Sequence, residues 1–182
     1  IFSLENILTS DSDEYLRRVE ELFAKYGYAF KIGNKSDDVI ISDHNKTIIF
    51  GANGSDVIYG GDNNDIIYGG YGNDTIVGSG GDDTIIGGYG DNIVHGGDGN
   101  DNISCESGHD RIYGGNGNDT IFGGGGDDVI DGGSGRDNIF GGSGDDVIDG
   151  GSGRDNIYGG SGDDTISGGS DEDWLHGEEG ND

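Results

Sequence analysis

The sequence predicts an all-β solenoid, a stack of short coils preceded by a helix and a strand. Three observations carry that prediction. A nine-residue pattern, G-G-x-G-x-D-x-U-x with U a large aliphatic, runs from Gly33 to Asp182 without insertion or deletion. Within it, aspartate holds the sixth position and isoleucine the eighth almost throughout. An eighteen-residue unit is then duplicated nearly unchanged: GDDVIDGGSGRDNIFGGS from Gly126 is followed by GDDVIDGGSGRDNIYGGS from Gly144, and only Phe140 and Tyr158 differ. Self-similarity at a fixed period marks a repeat architecture in which each unit contacts only its neighbours.

Two segments follow from composition: residues 1–32 and the repeats from Gly33 to Asp182, sixteen full nonapeptides and six residues of a seventeenth. In the first, Asp11 and Glu14 can form a capping box. Tyr15, Leu16, Val19, Leu22, Phe23 and Tyr26 then fall on one helical face before Gly27 stops the helix. Tyr28, Phe30 and Ile32 alternate as a strand. This helix and strand are expected to cover the open N-terminal end of the solenoid, because terminal coils need a cap. The other reading is a remnant of a preceding domain. The chain begins at Ile1, contains no Met and stops in mid-motif, so it is read as an excerpt of something longer with an uncapped far end.

Within each repeat the two halves have different jobs. Glycine at positions one, two and four permits positive φ and lets carbonyl oxygens crowd together, so G-G-x-G-x-D is predicted to be a tight, oxygen-lined turn. The remaining x-U-x is the strand, with the aliphatic pointing inward and its neighbours outward. Two nonapeptides make one coil of eighteen residues, and each strand pairs with the strand eighteen residues later, about 4.8 Å away.

Charge shows what the sequence lacks. With 37 acidic against 9 basic residues the formal net charge is −28, and 42 glycines raise the entropy cost of ordering the chain. Without a counter-charge such a composition belongs to a disordered chain. The sixth-position carboxylates are the candidate ligands: Asp38, Asp56, Asp65, Asp74, Asp83, Asp101, Asp110, Asp119, Asp128, Asp137, Asp146, Asp155, Asp164, Asp173 and Asp182. Carboxylates and carbonyls suit calcium, which takes six to eight oxygens, whereas zinc would want Cys and His. One turn supplies too few oxygens, so each ion would bridge two turns eighteen residues apart. Fifteen such gaps exist; Asn92 weakens two and Thr47 one, which leaves twelve strong sites. Twelve divalent ions would offset most of the negative charge.

The repeats GGYGNDTIV, GGDGNDNIS, GGNGNDTIF and GGSGDDTIS match the pattern at every defined position. In this the chain resembles the RTX (repeats-in-toxin) family, whose hemolysin-type nonapeptides bind calcium. The resemblance covers Gly33 to Asp182. It implies a right-handed parallel β-roll, export from a bacterium by a type I secretion system, and folding triggered by calcium outside the cell. The parent protein would be a secreted toxin, adhesin or enzyme, the roll itself having no catalysis. Three units depart from the pattern: SDHNKTIIF lacks both glycines and the Asp, the ninth opens Cys105-Glu106, and the sixteenth has Asp171 at the third glycine.

Other chemistry finds little support. Cys105 is alone, so no internal disulfide forms. His44, His95, His109 and His176 belong to no H-E-x-x-H motif and assemble neither a zinc protease site nor a triad. The many G-x-G-x-x-G matches do not open a helix after a long strand, which excludes the dinucleotide fingerprint. No apolar run is long enough to span a bilayer, and the acidic charge opposes nucleic acid. One surface feature stands out, the outward ninth-position column Phe50, Tyr68, Ile86, Ser104, Phe122, Phe140, Tyr158, His176. It reads first as cross-strand stacking that stabilises the sheet. The alternative is a carbohydrate-binding module, with a cell-surface glycan or receptor as partner. Ice binding is disfavoured because positions three and five lack a regular Thr and Asn array. Asp131 and Asp149 should repel mildly on the opposite face.

Overall fold

A computed structural model of the chain describes residues 12–42 and 45–182, with only the backbone of residues 12–16. The Asp11–Glu14 capping box, the Tyr15 and Leu16 side chains and His44 fall outside that description. Among the described residues there are one helix, α1 (Ser12–Lys25), and seventeen strands. These run from β1 (Ala29–Ile32), β2 (Val39–Ile41) and β3 (Thr47–Asn53) to β16 (Thr165–Ser167) and β17 (Trp174–Glu179). Odd-numbered strands form a nine-stranded sheet and even-numbered strands an eight-stranded one. Every pairing is parallel, and paired strands are eighteen residues apart from β1 onward, as in Lys31↔Ile49, Ile112↔Ile130 and Ile121↔Ile139. The chain is a parallel β-solenoid of about eight turns.

The period-two alternation explains the core. Eighth-position side chains from Ile40 to Ile157 are buried in one contiguous cluster, one aliphatic per strand. Most strands are longer than the predicted x-U-x, which only Val39–Ile41, Asn102–Ser104, Val147–Asp149 and Thr165–Ser167 match in length. Ile66–Tyr71, for example, continues through Gly69 and Gly70, and its first glycine is buried behind Ile67. The Gly-Gly pair thus belongs to the strand, and the second glycine, at φ 116° in Gly70, supplies the bend that ends it. Side chains are excluded there because a Cβ on Gly70 would overlap the carbonyl oxygen of Ala52 in the preceding coil. Four other residues take a similar conformation without being glycine: Ala52, Ser79, Asp171 and Glu178, all at second or fourth positions.

The start of the stack is built differently. β1 pairs with β3 so that Lys31 lies opposite Ile49, in the register of an inward aliphatic. Its Nζ donates a hydrogen bond of 2.6 Å to the carbonyl of Ile41, in the other sheet. The lysine stem therefore crosses the N-terminal end of the core from sheet to sheet. Phe30 faces outward, stacked on Phe23 of α1 and in contact with Phe50. At the other end, Ile166 is only partly buried and Leu175 is 48% exposed.

The outward aromatics stack along the axis as ladders. Phe50 lies on Tyr68 at 4.7 Å, Phe122 on Phe140 at 4.8 Å, Phe140 on Tyr158 at 5.0 Å and Tyr158 on His176 at 4.7 Å, all with nearly parallel rings. Ring faces inside each ladder are occupied by neighbouring rings, as cross-strand stabilisation requires. Asp131 and Asp149 are register partners on the opposite sheet.

Gly117, at φ 135° with the Gly99 carbonyl where its Cβ would stand, should not tolerate alanine: Gly117→Ala should cost well over ~2 kcal/mol in chemical denaturation. Ala52→Gly should instead stabilise by ~1 kcal/mol by relieving the left-handed conformation. Hydrogen exchange should be slowest at Ile121 and Ile130 and faster at Ile166 and Leu175, where the core is open.

Candidate metal centre

The sixth-position aspartates form two ladders, one along each edge of the stack. In each, Oδ1 accepts a hydrogen bond from the backbone N–H eighteen residues earlier: Asp56 N–H donates to Asp74, Asp101 to Asp119, and Asp128 to Asp146, each at 2.8 Å. Oδ1 is thus consumed in tying coil to coil. The second oxygen is not. Oδ2 of Asp56, Asp65, Asp74, Asp83, Asp101, Asp110, Asp119, Asp128, Asp137, Asp146, Asp155 and Asp164 is buried and meets no hydrogen-bond donor. A buried carboxylate oxygen left without a partner costs several kcal/mol, on the order of 1–3 or more. Twelve such oxygens along the two edges demand a counter-charge.

The glycine at position one shows where it would sit. A Cβ on Gly51 would come 2.5 Å from Asp56 Oδ2 and 2.5 Å from the carbonyl oxygen of Gly69 in the next coil. The same cradle recurs at Gly60, where Asp65 Oδ2 and the Gly78 carbonyl both lie 2.8 Å from that point, and at Gly132 with Asp137 and Gly150. Each cradle therefore brings a carboxylate oxygen of one coil and a carbonyl oxygen of the next to one spot. Among the described residues no cluster of three or more His, Cys, Asp or Glu side chains forms, so backbone oxygens must complete any site. Hard oxygen donors with no nitrogen or sulfur fit calcium and do not fit zinc.

The remaining predicted ligands are placed differently. Asp38 is already engaged: Asn34 donates to it through its backbone N–H and its side-chain amide, each at 2.7 Å. Asp173 and Asp182 accept from Asp155 and Asp164 at 3.0 Å, but Asp173 is only partly buried and Asp182 is exposed. Asp74 keeps its unpartnered Oδ2 although Asn92 follows it.

A second ladder escaped the sequence reading. Fifth-position side chains accept from the backbone N–H eighteen residues later, the reverse direction. His109 N–H donates to Asp91 at 2.9 Å, Asp163 N–H to Asp145 at 2.8 Å and Asn118 N–H to Asn100 at 2.9 Å. The signal was there, since Asp, Asn, Ser or His fills most fifth positions, but that position is undefined in the nonapeptide.

Burial dominates the electrostatics. Desolvation raises the aspartates from 3.8 to about 6 at Asp65, Asp74, Asp101, Asp137 and Asp146, to about 7 at Asp119 and Asp128, and to about 8 at Asp83. A folded-state value above the unfolded one means that the metal-free roll holds extra protons. Its stabilising contribution is complete below about pH 3.8 and is lost as pH rises through about 6 to 8. In excess chelator, β-structure followed by circular dichroism should therefore be greatest near pH 4 and should fall across that window. A β signal that grows with pH under those conditions would contradict the buried-carboxylate geometry.

A comparison with curated protein sequences returned no significant match. The family model for the RTX calcium-binding nonapeptide repeat matches residues 47–70, 68–103, 106–139, 131–166 and 149–182, which together take in most of the chain. The chain belongs to the family of RTX calcium-binding nonapeptide repeat proteins.

Proposed function

We propose that this chain is a calcium-responsive folding module of a larger secreted bacterial protein, disordered without calcium and folded once calcium fills the turns after type I export. The observation that carries the reading is the run of twelve buried, unpartnered Asp Oδ2 atoms. Asp56, Asp65, Asp74, Asp83, Asp101, Asp110, Asp119, Asp128, Asp137, Asp146, Asp155 and Asp164, with the position-one carbonyls of the coil above, would hold the ions. Bound calcium supplies positive charge and oxygen coordination between successive coils. The protein's part is to line up those oxygens at one per coil and edge, to bury them, and to keep Cβ atoms out of the cradles. Export before folding is consistent with a chain of net charge −28 that has little to hold it together where calcium is scarce.

Lys31, β1 and α1 serve in this reading as the N-terminal cap, with Lys31 over the end of the core and Phe23 and Phe30 extending the aromatic ladder. The function is structural. A glycan platform on the aromatic column gains no support, because the ring faces inside its ladders are stacked on one another.

Calcium titration monitored by circular dichroism tests the proposal. The chain should lack ordered β-structure in excess chelator at neutral pH and acquire it cooperatively with calcium, while magnesium, which demands stricter octahedral geometry, should substitute poorly. A full β signal in chelator at pH 7.5 would sink the reading. Asp146 accepts from Asp128 and donates its N–H to Asp164, so Asp146→Ala breaks a ladder between intact turns. It should raise the calcium midpoint several-fold, and more than Thr47→Ala, which removes no carboxylate. Equal midpoints would show that the aspartates are not the ligands.

A further inference from the structure

The nonapeptide is broken at position six by two residues, Thr47 and Asn92, and at position one by two others, Ser42 and Cys105. The structure brings these four together as two pairs. Ser42 and Thr47 hydroxyls hydrogen-bond to each other. Cys105, one coil above Asn92, points its Sγ at the cradle of Gly87, 2.9 Å from where a Gly87 Cβ would stand; Asn92 Nδ2 lies 3.4 Å from the same point. Elsewhere that spot is bracketed by a carboxylate oxygen and a carbonyl oxygen. Here it holds a thiol and an amide N–H.

We propose that these two pairs are metal-free plugs, junctions between coils that close by hydrogen bonding and packing where their neighbours need calcium. This rests on the calcium reading of the other turns. At both plugs the position-six side chain carries its own donor and uses it in the same way. Thr47 Oγ1 donates to the carbonyl of Asn45 at 2.8 Å, and Asn92 Nδ2 to that of Gly90 at 2.9 Å, each the fourth-position carbonyl of its own turn. The coil-to-coil ladder is retained. Asn92 Oδ1 accepts from Asp74 N–H at 3.0 Å, and Asn92 N–H donates to Asp110 at 2.7 Å. Thr47 N–H likewise donates to Asp65 at 2.6 Å. Asn92 therefore reproduces the bonded half of an aspartate and replaces the unpartnered half with a donor.

The position-one side chains complete the exchange. A Cβ at position one would crowd Oδ2 of the same repeat, 2.5 Å away for Gly51 and 2.8 Å for Gly60, and Cys105 carries one although Asp110 of its own repeat keeps its carboxylate. Where Thr47 replaces Asp, a serine side chain fits in the same repeat and bonds to it. Where Asn92 replaces Asp, the space beside its amide is filled by Cys105, which is 2% exposed. The strand β9 (Asn102–Ser104) stops just before it. A cation placed there would meet an amide N–H and a buried thiol in place of two oxygens. Substitution at one position alone would leave a void or a clash, so the changes come in pairs.

Counting bound calcium by native mass spectrometry on wild type and three variants tests this. Asn92→Asp with Cys105→Gly should restore the cradle and bind one more ion than wild type. Asn92→Asp alone should gain no ion and should melt at a lower temperature in saturating calcium, because the new carboxylate faces Sγ. Cys105→Gly alone should leave the count unchanged. A parallel pair, Ser42→Gly with Thr47→Asp, should also gain one ion. A single variant that gains an ion, or two paired variants that both fold without gaining one or both fail to fold in calcium, would overturn the plugs while leaving the calcium reading intact. Wild type that binds no calcium would overturn both.

Discussion

The structure depends on one arrangement repeated up each edge of the stack: a buried carboxylate oxygen with no donor, facing the carbonyl of the next coil. Everything costly in the sequence serves it. Aspartate recurs every nine residues because one oxygen must bind the neighbouring backbone while the other stays available. Glycine predominates at position one because a Cβ there would crowd that second oxygen, and at positions two and four because the coils pack carbonyl against backbone, although Ala52, Ser79, Asp171 and Glu178 take the same backbone conformation. The core is a single file of aliphatics on each sheet, too thin to hold such a charged stack by burial alone. A cation between coils would remove the electrostatic penalty at the place where the hydrophobic contribution is smallest.

The period exposed much of this in advance. A sixth-position acid and an eighth-position aliphatic at constant spacing determine the coil length, the parallel register of Ile112 on Ile130, the burial of Ile40 to Ile157 and the columns in which Asp56 and its fellows stand. What the period could not expose lies in residues it leaves undefined or in contacts between repeats. The fifth-position ladder is one case, because Asp91 bonding to His109 N–H is a relation between coils. Asn34 quenching Asp38 is another, since its amide reaches back into its own turn. Lys31 over the core end belongs to a strand that precedes the first recognisable repeat.

In most repeats the turn is shorter than the glycines imply: Gly69 and Gly70 have the conformational freedom of turn residues, yet Gly69 is buried within the strand and only Gly70 bends it. The Thr47 and Asn92 departures were legible as lost ligands, and Cys105 as a lone thiol, but their pairing depends on which coil lies above which. Asn92 and Cys105 are thirteen residues apart in sequence and share one cradle. The aromatic column was legible as a column, and the parallel stacking of Phe122, Phe140, Tyr158 and His176 shows its role as packing.

The central claim is that the cradles, and not the acidic surface in general, take up the charge. Equilibrium dialysis against calcium at physiological ionic strength, with the metal counted by atomic absorption, tests it most directly. About twelve tightly held ions per chain, one for each unpartnered Oδ2, is the expected result. A fully folded roll that retains only two or three ions, or none, would contradict it, for most of the buried oxygens would then be stable without a partner.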